Sequence, residues 1–240
     1  MELGVVWDEA TGAYRRPSDR VQVTSGSTRP RRLSTHPGSR RPARDIDPRV
    51  AEARQFEERL RYALRDGAFL VLTVRPSQML ACERELALRF PELERLSLDR
   101  LLLERLRSRA AEDEVDWRVI READGAPPGS DDHRHLCDMV AEIIPAVEAG
   151  LLSRGHPVLL VHPGLLARYD QMDLLTRLRD RVGRKGACPG LWVLVAADEQ
   201  SELPLIDGRE VPLIGSGQRA RAPLAWMENL HRATRAATAP

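Results

Sequence analysis

The sequence predicts an α/β fold, a parallel sheet of about five strands with helices on both faces, and three observations carry that prediction. Pro157–His162 (PVLLVH) and Leu191–Ala197 (LWVLVAA) are short apolar runs rich in Val and Leu, the composition of strands buried on both faces. The stretch between them, Leu165–Val182, is amphipathic and long enough to be the crossover helix of a βαβ unit. A third apolar run, Ala68–Val74 (AFLVLTV), also leads into a helical stretch, so strands and helices alternate along most of the chain.

The elements follow in order. Val5–Trp7 and Arg20–Thr24 read as short strands, with Glu9–Gly12 as a turn between them. Residues 25–44 are Ser, Thr, Pro, Gly and Arg with almost nothing to bury, so 1–45 is an extension ending in a flexible, Arg-rich linker. The folded domain spans 46–232, and 233–240 is a loose tail. Asp47 or Asp45 caps a helix over Val50–Arg65, with Pro48 at its first position and Val50, Ala53, Phe56, Leu60 and Leu64 along one face. Gly67 ends that helix, and the strand 68–74 follows. Pro76-Ser77 opens a helix to Phe90. A strand over 93–98 precedes a helix over Arg100–Glu114, capped by Ser97 or Asp99. Val115–Glu122 reads as a short helix, Gly125–Ser130 as a loop, and Ser130 or Asp131 caps a long helix to Leu152 in which Pro145 predicts a kink. After the central βαβ unit, Asp198–Pro204 is turn-like, Val211–Ile214 is the fifth strand or a hairpin arm, and Ala222–Arg232 is a last helix.

The chain has 240 residues, 42% hydrophobic and 30% charged, with a net charge of +1. It is long enough to bury one sizeable core, and no bulk field recruits nucleic acid or a membrane. Lys185 is the lone lysine, an Arg-for-Lys bias of the kind a GC-rich coding sequence produces, which lowers the weight of any Arg cluster. Cys82, Cys137 and Cys188 form no CxxC pair, as in a reducing, cytoplasmic setting. No apolar run reaches the length of a membrane span.

In such sheets ligands sit at the carboxyl ends of strands, and three places there carry candidate chemistry. Arg75 and Ser77 follow the 68–74 strand and read as anion or nucleotide ligands at a helix N-terminus, or else as a solvated arginine and a cap. His162, ending its strand before Pro163-Gly164, reads as a ligand contact or base, or as a turn residue. Asp198 and Glu199 follow the next strand and could polarise a water or hold Mg²⁺, or form a solvated loop. Apart from these, Arg209, Arg219 and Arg221 fall near the C-terminus, where an arginine could reach a phosphate or a neighbouring subunit. Within the linker, Arg29, Arg31, Arg32, Arg40, Arg41 and Arg44 form a candidate nucleic-acid contact. His133 and Cys137 share a helix face at i and i+4, but no second cluster completes a metal site.

No GxxxxGK[ST] occurs in these 240 residues, and the glycine-rich loop Val182–Gly190 precedes a strand where a phosphate loop would open a helix. The predicted scaffold is therefore P-loop-NTPase-like but lacks the Walker motifs.

Asp47–Ala53 with Phe69–Val74, Val115-Asp116-Trp117, Pro127–Ser130, Pro157–Asp170 (PVLLVHPGLLARYD) and Leu191–Trp226 are similar to the C-terminal region of a bacterial defence protein. The resemblance covers about residues 47–232 and is to the serine/threonine kinase of phage growth limitation and bacteriophage exclusion (BREX) systems. It implies a component of anti-phage defence, acting in a complex with a DNA methyltransferase and ATPases. It does not imply kinase activity here, because the chain has no glycine-rich ATP loop, HRD-type loop or DFG. The expectation is a non-catalytic, NTPase-like interaction module with no cofactor. Two alternatives stay open: a nucleotide-dependent enzyme with a non-standard site at the strand ends, and a DNA-binding accessory protein using the linker.

Overall fold

The computed structural model describes residues 6–8 and 13–15, as backbone, and residues 47–198 and 203–232. The chain forms two compact units, residues 1–44 and 45–240. In the first, β1 (Val6–Asp8) pairs antiparallel with β2 (Ala13–Arg15), Val6 opposite Arg15. The partner strand thus begins at Ala13. Arg20–Thr24, expected to be that strand, lies outside the described residues, as do Arg29, Arg31, Arg32, Arg40, Arg41 and Arg44.

The second unit begins with α1 (Pro48–Arg65), whose first turn is capped by the Asp47 carboxylate accepting from the Arg49 N–H at 2.9 Å. Next come β3 (Phe69–Val74), a 3₁₀ turn at Pro76–Gln78, α2 (Met79–Arg89) and β4 (Glu94–Ser97). Ser97 caps α3 (Leu98–Glu112), Asp116 caps α4 (Trp117–Gly125), and Ser130 caps α5 (Asp131–Leu152), which runs through Pro145. β5 (Val158–Val161), α6 (Gly164–Arg168), α7 (Asp173–Arg181) and β6 (Leu191–Ala196) follow. The described chain ends with the hairpin β7 (Leu205–Ile206) and β8 (Arg209–Glu210), then β9 (Arg219–Arg221) and α8 (Leu224–Met227).

The five-stranded sheet has the order β4-β5-β6-β3-β9, and every neighbouring pair is parallel. Strand alternation divides its side chains between two cores. Leu70, Leu72, Val74, Leu159, Val161, Trp192 and Leu194 pack under α1, α2 and α8. Phe69, Val71, Val158, Leu160, Leu191, Val193 and Val195 pack under α3 to α7 and under Ile206 and Val211. The sheet is thus covered on both faces, as its apolar strands require.

Three elements depart from the sequence reading. Leu165–Val182 is two helices, because Asp170 turns left-handed (φ 57°) and the Gln171 N–H closes on the Leu166 carbonyl at 2.7 Å. The fifth strand is Arg219–Arg221 rather than 211–214; its two arginines flank the buried Ala220, a polar pattern that a three-residue edge strand tolerates. Val211 is instead a core residue of the preceding loop. The last helix is Leu224–Met227, shorter than 222–232, with Asn229 in the left-handed region (φ 61°) just beyond it.

Beyond α8 the chain is fastened to α1 and α2 by a buried polar network. The Arg89 guanidinium, its side chain 1% exposed, donates to the Trp226 carbonyl at 2.6 Å, to Asn229 Oδ1 at 2.7 Å and to Glu85 at 2.9 Å, and lies over the Trp226 ring. Glu57 accepts from Arg89, from Trp226 Nε1 at 3.2 Å and pairs with His231 Nε2 at 2.8 Å. Just before β3, Gly67 meets Gly183 backbone to backbone (φ 67° and 76°), and an added Cβ on either would collide with a carbonyl oxygen of the facing loop.

Candidate functional site

An open parallel sheet offers a crevice where consecutive connections leave on opposite faces. Here that point lies between β3 and β6. The connection after β3 passes through α2 on one face, whereas the connection after β6 crosses β3 to reach β9 and buries Ile206 and Val211 on the other. The two strand ends are joined by the Ala197 N–H donating to the Val74 carbonyl at 2.8 Å.

Arg75, Ser77 and Asp198 all stand at this point and all are exposed. Ser77 lies within the 3₁₀ turn, and neither that turn nor α2 has a side-chain cap, in contrast to α1, α3, α4 and α5. The capping role expected for Ser77 is therefore not filled. Glu199 lies outside the described residues.

Arg221 joins this group from the other side. It is the last residue of β9 and in register with Thr73 of β3, and paired residues of a parallel ladder share a face. Its Nη1 lies 3.5 Å from the carbonyl oxygen of Asp198, two residues beyond β6. Because β3 separates β9 from β6, the guanidinium lies across the carboxyl end of β3. Beside it, Thr73 is 1% exposed and its Oγ1 has no hydrogen-bond partner among the described residues.

His162 is placed elsewhere. It directly follows β5 in the left-handed region (φ 53°), with Nδ1 3.4 Å from Ser97 Oγ and its carbonyl accepting from the Asp99 N–H at 3.0 Å. Asp99 Oδ1 accepts from the Leu165 N–H at 2.9 Å. A Cβ on Gly164 would stand 3.2 Å from Asp207 Oδ2 and 3.8 Å from Asp99 Oδ2, so the glycine leaves room for two carboxylates. Burial pushes the Asp99 carboxyl above its ordinary range, the Asp207 charge adds to this, and the Leu165 N–H and His162 oppose it.

The remaining candidates are dispersed. The Lys185 loop lies at the amino end of β6, away from the crevice. Arg209 pairs with Asp170 at 3.3 Å, and the Arg219 carbonyl accepts from the Arg59 guanidinium. Cys137 Sγ is 3.6 Å from His133 Nδ1, and among the described residues no three His, Cys, Asp or Glu are grouped to hold a metal. No helix among them is long and apolar enough to cross a membrane.

The chain is similar to the probable kinase PglW of Streptomyces coelicolor. Identity is 33% over 242 aligned positions, which take in 96% of this chain and 15% of PglW. The resemblance to the phage growth limitation kinase read from the sequence is therefore borne out. The chain spans only 15% of the length of PglW, so the kinase named there is far larger than the sheet described here. No family model matches the chain, and no solved structure matches it.

Sequence reasoning missed Thr73, Asp99 as an acid facing another acid, and the Glu57–Arg89 network. One signal was available. Asp207-Gly208 is the dipeptide of a tight hairpin, and both residues are left-handed (φ 46° and 82°) between β7 and β8. Reading it would have placed Asp207 on a hairpin tip, though not over Gly164.

Proposed function

We propose that the chain is a non-catalytic, NTPase-like interaction module of a prokaryotic anti-phage defence system, acting within a complex of other defence proteins. The defence context rests on the similarity to PglW. The non-catalytic reading rests on the turn after β3. That turn is Arg75-Pro76-Ser77-Gln78, a 3₁₀ turn with no glycine. Phosphoryl transfer depends on positioning and charge stabilisation, for which a P-loop uses backbone N–H groups curled around the phosphates and a lysine. The strand that would carry a metal-holding acid, β5, is followed instead by His162-Pro163-Gly164. What remains is a sheet covered on both faces that presents its strand ends and helix surfaces to other proteins.

The test has two readouts. Purified chain incubated with ATP and Mg²⁺ is expected to give no hydrolysis above a buffer blank; turnover that disappears in Arg75→Ala refutes the reading. In a host carrying the defence system, deletion of this region is expected to abolish phage restriction and co-purification of the other components. Retention of both removes the interaction role.

A further inference from the structure

We infer that the crevice between β3 and β6 binds the phosphate group of a small ligand such as a nucleotide, without hydrolysing it, through Arg221 and Thr73. This goes beyond the interaction role and is independent of it. Strand β3 is Phe-Leu-Val-Leu-Thr-Val, five apolar residues and one hydroxyl. The hydroxyl sits one residue from the carboxyl end, is buried, and lacks a partner among the described residues. A buried donor without an acceptor is costly, and valine would fill the same space at no such cost. An unsatisfied group of this kind marks a place where a partner from outside the chain belongs.

The surroundings identify the partner's charge. Arg221, in register with Thr73, lays its guanidinium across the end of β3 toward Asp198, and a planar guanidinium matches two oxygens of a phosphate. Arg75 follows the same strand at the same mouth. A buried hydroxyl and the Arg221 guanidinium on one face of the strand end, with Arg75 next along the chain, thus stand where the topology itself opens a crevice. The two acids at Asp99 and Asp207 gather at the end of β5 instead, beside Gly164.

Calorimetric titration of the 240-residue chain with inorganic phosphate and with ADP, at fixed ionic strength, tests the site. Both are expected to bind; tighter binding of ADP identifies a nucleotide, and equal binding identifies phosphate alone as the recognised group. Thr73→Val is expected to leave the ligand-free protein as stable as before or more so while weakening phosphate binding about tenfold or more. Arg221→Lys keeps the charge, loses the fork and should also weaken it, and Arg221→Ala should abolish it. Circular dichroism confirms that each variant is folded. Absence of binding to low-millimolar ligand overturns the inference, as does undiminished binding by both Thr73→Val and Arg221→Ala. Binding without turnover leaves the non-catalytic reading intact, and turnover removes that reading while the site stands.

Discussion

Arg89→Met tests whether the buried network, rather than the apolar core alone, holds the last described segment in place. Arg89 is 1% exposed and its carboxylate partners Glu57 and Glu85 are 13% and 9% exposed. Methionine keeps most of the side-chain volume but leaves two carboxylates without their shared cation, and the Trp226 carbonyl and Asn229 Oδ1 without their donor. Breaking a buried pair from one side costs about 3–5 kcal/mol. At ~2–4 °C per kcal/mol for a domain of this size, Tm should fall by roughly 6–20 °C. The control is Arg118→Ala, whose partner Glu122 is met at 82% and 63% exposure; such a helix pair is worth about 0.3–0.5 kcal/mol. Urea denaturation with both variants gives the comparison, and amide exchange locates the loss, which should be greatest at residues 224–232. If Arg89→Met costs less than about 1 kcal/mol, the desolvation of the network cancels its attraction and the packing of Trp226 does the fastening.

Three further outcomes follow from the same structure. Burial acts to raise the Glu57 carboxyl, yet hydrogen bonds from Arg61, His231 and Arg232 hold it at about 2 against an ordinary 4.5. Its contribution is therefore complete above pH ~4.5 and is lost as pH falls toward ~2, so acid unfolding of Glu57→Gln should be less steep across that window. Gly67→Ala and Gly183→Ala place a Cβ into a backbone oxygen at positive φ and should cost at least about 3 kcal/mol or prevent folding, whereas Gly129→Ala, with open space around it, should cost about 1–2 kcal/mol; thermal melts of the three variants separate the cases. Burial pushes the Cys82 thiol up to about 12, so a thiol reagent at neutral pH should modify the half-buried Cys137 first and reach Cys82 only on unfolding.

The parallel sheet was legible because its strands are buried on both faces, and a run such as Leu191–Ala196 has little alternative as a short element between polar segments. Caps were legible for a local reason: Asp47, Ser97 and Ser130 each bond an N–H two or three residues ahead. The fifth strand was not legible, since Arg219-Ala220-Arg221 buries one small residue and owes its place to hydrogen bonding with β3. The break at Tyr169–Met172 was hidden by the continuous apolar stripe on either side of it, which both helices use against the same core.

The candidate site was half legible, and the half that was missed has a common cause. Arg75, Ser77 and Asp198 follow strands and could be placed by counting from them. Thr73 was missed, and Arg221, read as an arginine able to reach a phosphate, could not be given a place, because the two lie 148 positions apart in sequence, the difference between 221 and 73, and become neighbours once β9 pairs with β3. The same pairing carries Arg221 to the carbonyl of Asp198 across an intervening strand. In a sheet whose first strand sits beside its last, chemistry at the crevice is built from the two ends of the domain. A chain that lost its glycine loop would still keep that juxtaposition, because the sheet core depends on it: Leu72 and Ala220 pair in the same register and pack in the same core. Retention of an arginine at the crevice is then separable from retention of hydrolysis, since the first follows from the fold and the second from the loop.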